Sequence, residues 1–112
     1  MRSKYRNVYW YRRRNRPGWG KWMVKLHFRQ HPSGRETLNV GYYHDERCAA
    51  QVADVAEDAV REGDAGEPNL PDEPLKGIER TVVLDKLFRI GAIDAAGLQR
   101  AIERNAHLFG YG

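Results

Sequence analysis

The first 35 residues of this 112-residue chain contain no aspartate or glutamate, yet they carry eleven of its 19 Lys and Arg residues. Like charges packed this densely repel one another, and an ordinary solvated surface mixes the two signs. Other scarcities are as informative. A single cysteine, Cys48, excludes a disulfide framework and a cysteine-based zinc site. No stretch of about 18 apolar residues occurs, so no membrane-spanning helix is expected. Nor does an apolar signal-type segment open the chain. The four histidines, His27, His31, His44 and His107, are scattered without metal-ligand spacing. The segment Gly18-Trp19-Gly20-Lys21-Trp22 lacks the four-residue gap and the following Ser or Thr of a phosphate loop. No metal, cofactor, small-molecule substrate or catalytic centre is therefore expected.

What is present is a charge split. Residues 36–112 hold the remaining eight Lys and Arg against all fifteen acids. A basic half joined to an acidic half implies that the basic half faces a polyanion.

The basic half reads as strands. Arg6–Arg12 is rich in Tyr, Trp and Val, and a turn at Asn15-Arg16-Pro17-Gly18 follows it. Lys21–Arg29 alternates: Trp22, Val24, Leu26 and Phe28 point one way, and Lys21, Met23, Lys25, His27 and Arg29 the other. After a turn at His31-Pro32-Ser33-Gly34, the segment Glu36–Tyr42 puts Leu38 and Val40 on one face and Thr37 and Asn39 on the other. Short turns between three strands predict an antiparallel meander. Its apolar face needs a cover.

A helix supplies it. Asp45 is an N-cap, Glu46 suits the first turn, and Gly63 is the expected C′ residue after Glu62. Ala49, Val52, Ala53, Ala56, Ala59 and Val60 recur at helical spacing, with Cys48 packed beside them as a small hydrophobe. Asp54, Glu57, Asp58 and Arg61 are expected on a solvated face. Residues 63–77 are rich in Gly, Pro and acids and read as a connector. Two amphipathic segments follow. Ile78–Ile90 has apolar residues at 78, 82, 83, 87 and 88, and Asp94 caps a helix carrying Leu98, Ala101, Ile102, Leu108 and Phe109. They predict a helical hairpin whose apolar faces meet the rest of the chain or a protein partner. The expected class is α+β: a three-stranded antiparallel sheet packed on one helix, followed by a C-terminal helical hairpin.

The ordered set of parts resembles a known family over residues 5–71. "YRNVYW" is similar to the opening YRGV segment of the plant Apetala-two/ethylene-response-factor DNA-binding domain. "PGWGKWMVKL" resembles its PWGKW-A-A-E-I segment with one added Gly. "LNVGYYHDERCAAQVADVA" resembles its strand, turn and helix, and "PNLP" stands where that family ends in L-N-F-P. The resemblance implies a nucleic-acid-binding domain at 5–71 and a helical appendage at 72–112. It also implies that the sheet, not the helix, enters the DNA major groove.

Carried over residue by residue, Arg6 matches the family's first groove-facing Arg, Trp19 its first Trp, and Lys21 the Lys of GKW. Lys25 stands where the family often has Glu, and His27 where it often has Arg. Tyr9 and Tyr11 replace two Args, Thr37 and Asn39 replace an Arg and a Trp, and Asn7 replaces a Gly. Arg12, Arg13, Arg14, Arg16 and Arg29 add charge, which positions a protein on nucleic acid without reading sequence. Arg is the strongest reader of guanine, so the replacements argue against the family's usual GC-rich target. The implied function is a sequence-specific DNA-binding module of a transcription regulator in the nucleus. The alternative is an RNA-binding or structural subunit of a large assembly, such as an organellar ribosome of mitochondrion or plastid. Duplex DNA is the first expected partner and RNA the second.

Overall fold

Strands β1 (Val8–Arg12), β2 (Gly20–His27) and β3 (Thr37–Tyr43) form an antiparallel sheet in the order β1-β2-β3, in a computed structural model that describes residues 3–12, 20–27 and 37–109. Register follows the alternation of side chains. Val8 lies opposite Val24 and Leu26 opposite Leu38, and all four are buried. At the margin of the same face Trp10 lies across from Trp22, their rings edge to face at 4.9 Å. Phe28, expected beside them, falls outside the described residues.

One feature of β3 breaks the alternation. Val24 pairs with Gly41 but Lys25 pairs with Asn39, so Val40 is an extra residue in a β-bulge. Gly41 has φ 152°, a backbone conformation that a side chain would strain. The extra residue reverses the phase beyond it. Tyr42 emerges on the sheet's outer face, and Tyr43 packs against the core. Burial, helped by neighbouring Cys48, raises the Tyr43 hydroxyl above its ordinary pKa.

Helix α1 (Glu46–Val60) covers the apolar face. The Asp45 carboxylate accepts the Cys48 N–H at 3.2 Å, a cap worth about 1 kcal/mol. Ala49, Val52, Ala53, Ala56 and Ala59 are buried, as their spacing predicts, but Ala50, Val55 and Glu57 are buried too. A helix apolar on more than one stripe is covered on more than one side. The second cover is the C-terminal helical pair. The end of α1 differs by one residue from expectation. Glu62, not Gly63, is the C′ residue, at φ 53°, and Gly63 follows at φ 86° and donates its N–H to the Asp58 carbonyl at 3.0 Å.

Helices α2 (Gly77–Arg89) and α3 (Ala95–Arg104), with a 3₁₀ turn at Ala106–Phe109, pack on that second side. Asp94 caps α3 as expected, accepting the Gly97 N–H at 2.6 Å. The buried face of α2 is Arg80, Val83, Leu84 and Leu87. Ile78 and Val82, expected in the apolar face, are instead 82% and 61% exposed, and Phe88 is exposed as well. The spacing i, i+3, i+4, i+7 explains the rotation, because it starts at Arg80 rather than Ile78. Leu98 and Ile102 of α3 are partly buried against the core. One hydrophobic cluster therefore runs from the sheet through α1 to Leu84, Leu87, Ile93 and Ala101, across the boundary expected at residues 71 and 72.

The acid face of α1 is not the solvated surface its composition suggests. Glu57 is 8% exposed, hydrogen-bonded by Asn7 at 3.0 Å and flanked by Arg61 at 3.4 Å and Arg6 at 3.9 Å. The Asp58 carboxylate meets Asn105, Arg104 and Arg80 from the C-terminal helices. Asp54 accepts the N–H groups of Asn69 at 2.7 Å and Leu70 at 2.9 Å. Asn69 in turn accepts the Arg6 N–H at 2.9 Å and donates to the Arg6 carbonyl at 3.1 Å. The "PNLP" segment is thus clasped between α1 and the start of the chain. Burial pushes the Asp54 carboxyl above its usual range, opposed by those two N–H groups and by Arg6.

Asp54→Asn places an amide N–H₂ against one of two backbone donors. It is expected to cost about 1–3 kcal/mol in urea denaturation, the penalty of one orphaned donor. An unchanged midpoint would show that the clasp does not depend on a double acceptor.

Candidate nucleic-acid interface

The sheet's outer face is built by strand alternation from β1, β2 and β3. Tyr9 lies beside Met23, which lies beside Tyr42; Tyr11 pairs with Lys21, Lys25 with Asn39, and His27 with Thr37. None of these outward residues is acidic. Three strands about 4.8 Å apart span roughly 10 Å, close to the width of a B-DNA major groove at about 12 Å.

The face is ordered by side-chain contacts. The Tyr9 hydroxyl and His27 Nε2 are 3.1 Å apart, with the rings edge to face at 5.8 Å. Tyr11 and Tyr42 are tilted together at 5.2 Å. Asn39 Nδ2 donates to the Tyr42 hydroxyl at 2.9 Å and lies 3.7 Å from Met23 Sδ. Aromatic rings, amide and thioether thus form a continuous patch between Lys21 and Lys25.

Of the residues singled out in the sequence, the structure brings Tyr9, Tyr11, Lys21, Lys25, His27, Thr37 and Asn39 onto this one face. Arg12 ends β1, exposed, and alternation puts it on the side of Trp10. Arg6 is not on the face. Its guanidinium turns toward α1 and the connector, beside Glu57 and the Glu67 carbonyl. Arg13, Arg14, Arg16, Trp19 and Arg29 lie outside the described residues. Tyr42 was missed from the sequence because strict alternation continued through Gly41. An isolated glycine inside a strand pattern is the signal that marks a bulge.

The opposite side of the molecule is acidic. Asp54, Glu57 and Asp58 lie on α1, and further acids sit on the connector, α2 and α3, where ion pairs such as Arg47–Glu73, Arg89–Asp85 and Arg100–Glu62 occur. Among the described residues, the sheet's outer face carries Lys21 and Lys25 and no acid, and these acids lie on α1, the connector and the C-terminal helices. Among the described residues, no three His, Cys, Asp or Glu gather as a metal would require, and no helix is long and apolar enough to cross a membrane. The Cys48 thiol is raised by burial, then by Asp45 and Glu79, which disfavours the reactive thiolate. Set against protein-family models, curated proteins and solved structures, the chain matches none of them.

Proposed function

We propose that this chain is a sequence-specific DNA-binding module of a transcription regulator that places the outer face of its sheet in the major groove. The observation that carries the reading is the face itself. Lys21, Lys25 and His27 stand among Tyr9, Tyr11, Thr37 and Asn39 with no acid between them, while the described acids lie on α1 and the segments after it and at Asp45 before it. Such a face is attracted to phosphate and offers hydrogen-bonding groups to base edges, and the acidic rear is repelled. The resemblance over residues 5–71 supports it. Asn7 adopts φ 65° at the position where that family has Gly, and Asn is among the few other residues that tolerate this conformation.

A second reading has its own support. Tyr9, Tyr11 and Tyr42 share one face, and aromatic side chains stack on splayed bases of single-stranded RNA. The exposed Ile78 and Val82 of α2 would then contact a neighbouring protein in an assembly such as an organellar ribosome.

Binding titrations at several salt concentrations, on duplex DNA and on single-stranded RNA, test both. If about five phosphates are neutralised, the log–log slope on duplex DNA is expected near −4. Lys25→Ala should reduce that slope by about one and leave the melting temperature unchanged. Affinity that hardly responds to salt removes the polyanion reading, and preference for single-stranded RNA over duplex moves the function to the second reading.

A further inference from the structure

We propose that Asn39 reads an adenine in the major groove, and that Met23 beside it receives a thymine methyl group. The inference rests on the duplex-binding reading above and names the class of site that the face selects.

Asn39 is exposed near the middle of the outer face, opposite Lys25. Its amide is not free to rotate at no cost, because Nδ2 donates to the Tyr42 hydroxyl at 2.9 Å. The hydroxyl accepts either end of an amide, and the acceptor-only Met23 sulfur, 3.7 Å away, favours Nδ2 on that side. Oδ1 has no protein partner among the described residues, and the second Nδ2 proton has only the weak contact to Met23 Sδ at 3.7 Å. The amide thus offers one acceptor and one readily released donor, side by side on a rigid strand.

Base edges differ in what they ask for. Adenine presents a donor at N6 and an acceptor at N7, the complement of an amide edge. Guanine presents two acceptors, N7 and O6, and leaves an amide oxygen facing an acceptor. Cytosine presents a donor at N4 alone and satisfies half of the amide. The Met23 thioether is apolar and polarisable, suited to the thymine methyl that marks A·T pairs in this groove. Lys21 and Lys25, on either side, are flexible point charges that suit phosphate. The bulge at Gly41 is what makes this arrangement possible, since it turns Tyr42 outward to hold Asn39.

The test is selection of duplexes from a random-sequence pool by the full chain, repeated with Asn39→Ala, Asn39→Asp and Met23→Ala. The expected result is an enriched site with an adenine whose preference depends on Asn39. At that position Asn39→Ala, or replacing the base by 7-deazaadenine, should each weaken binding about tenfold. The salt slope should not change, because no phosphate contact is lost. Asn39→Asp keeps the shape and loses the donor, and it should shift the preference to cytosine. Met23→Ala should abolish discrimination between thymine and uracil. A guanine or cytosine at the Asn39-dependent position, or an adenine preference untouched by Asn39→Ala, overturns the assignment while leaving duplex binding intact. A pool that is not enriched at all overturns the duplex-binding reading, and the assignment with it.

Discussion

A chain ending at residue 77 is expected not to fold cooperatively, even though it keeps all three strands and α1. The reason is that α1 is covered on two sides. One side meets Val24, Leu26, Leu38 and Val40 of the sheet; the other meets α2 and α3, where Val83, Leu84 and Leu87 of α2 and Ile93 of the loop between the helices are buried. Burying one such side chain contributes about 1.5–3 kcal/mol, so the four together represent roughly 6–12 kcal/mol. Freeing the tail's backbone offsets part of that loss. What remains is large beside the total stability of a domain, about 5–15 kcal/mol. The loss is also local: Ala50, Val55 and Leu75 become solvent-facing together, and Asp58 loses Arg80, Arg104 and Asn105. Thermal melting of residues 1–77 followed by circular dichroism should show a broad, non-sigmoidal change where the full chain melts sharply. A sharp two-state melt of the truncated chain would make residues 5–71 an autonomous unit and α2 with α3 an appendage.

The contrast between sheet and tail shows what a sequence displays. The middle strand was legible because its information is local: Trp22 to His27 alternate, and the fold uses that alternation unchanged. Helix α1 was legible for the same reason, from the Asp45 cap and the Ala and Val stripe. Helix α2 was misread because its buried face begins with a charged residue. Arg80 sits at a core position that a hydrophobicity pattern assigns to solvent, and Ile78 and Val82 attract the pattern to the wrong face. The acids of α1 misled in the same way. Asp54, Glu57 and Asp58 look like a solvated stripe until their partners arrive from Arg6, Asn69, Arg80 and Arg104, all distant in sequence. Buried charge is legible only in pairs, and the pairing is tertiary.

The outward face was legible where strand alternation alone sufficed, for Lys21, Lys25, His27, Thr37 and Asn39, while Tyr9 and Tyr11 were reached through the family resemblance. It failed beyond the bulge, where a single inserted residue moved Tyr42 to the outer face. It differed again at Arg6, which the family resemblance directs toward the groove. Here the residue after it, Asn7, is left-handed, and its side chain and that of Arg6 both turn to Glu57.

The Asp58–Arg80 pair should respond very unequally to removal of its two members. Arg80 is 5% exposed, and desolvation lowers its pKa from the ordinary guanidinium value against the opposing pull of Asp58. Its Nη1 donates to the Leu75 carbonyl at 3.3 Å, its Nη2 is 3.9 Å from Asp58, and its Nε has no partner among the described residues. Asp58→Ala leaves this buried cation without its carboxylate and also strips Arg104 and Asn105 of theirs. Breaking a buried pair from one side costs about 3–5 kcal/mol, and the lower end applies here because Asp58 itself is partly exposed. Arg80→Met has the opposite character. It removes the desolvated charge and the orphaned Nε, keeps most of the side-chain volume over Phe109, and leaves Asp58 paired with Arg104 at 3.2 Å and Asn105 at 2.9 Å. Stability should change by less than about 1 kcal/mol, or rise, as when buried ion pairs are replaced by apolar side chains. Urea denaturation of both variants measures the asymmetry. If Arg80→Met costs as much as Asp58→Ala, the pair is a net contributor to stability, and the charge in the core of α2 is there for strength. If Asp58→Ala is harmless, the bridge from α1 to the C-terminal helices rests on Val83, Leu84 and Leu87 alone.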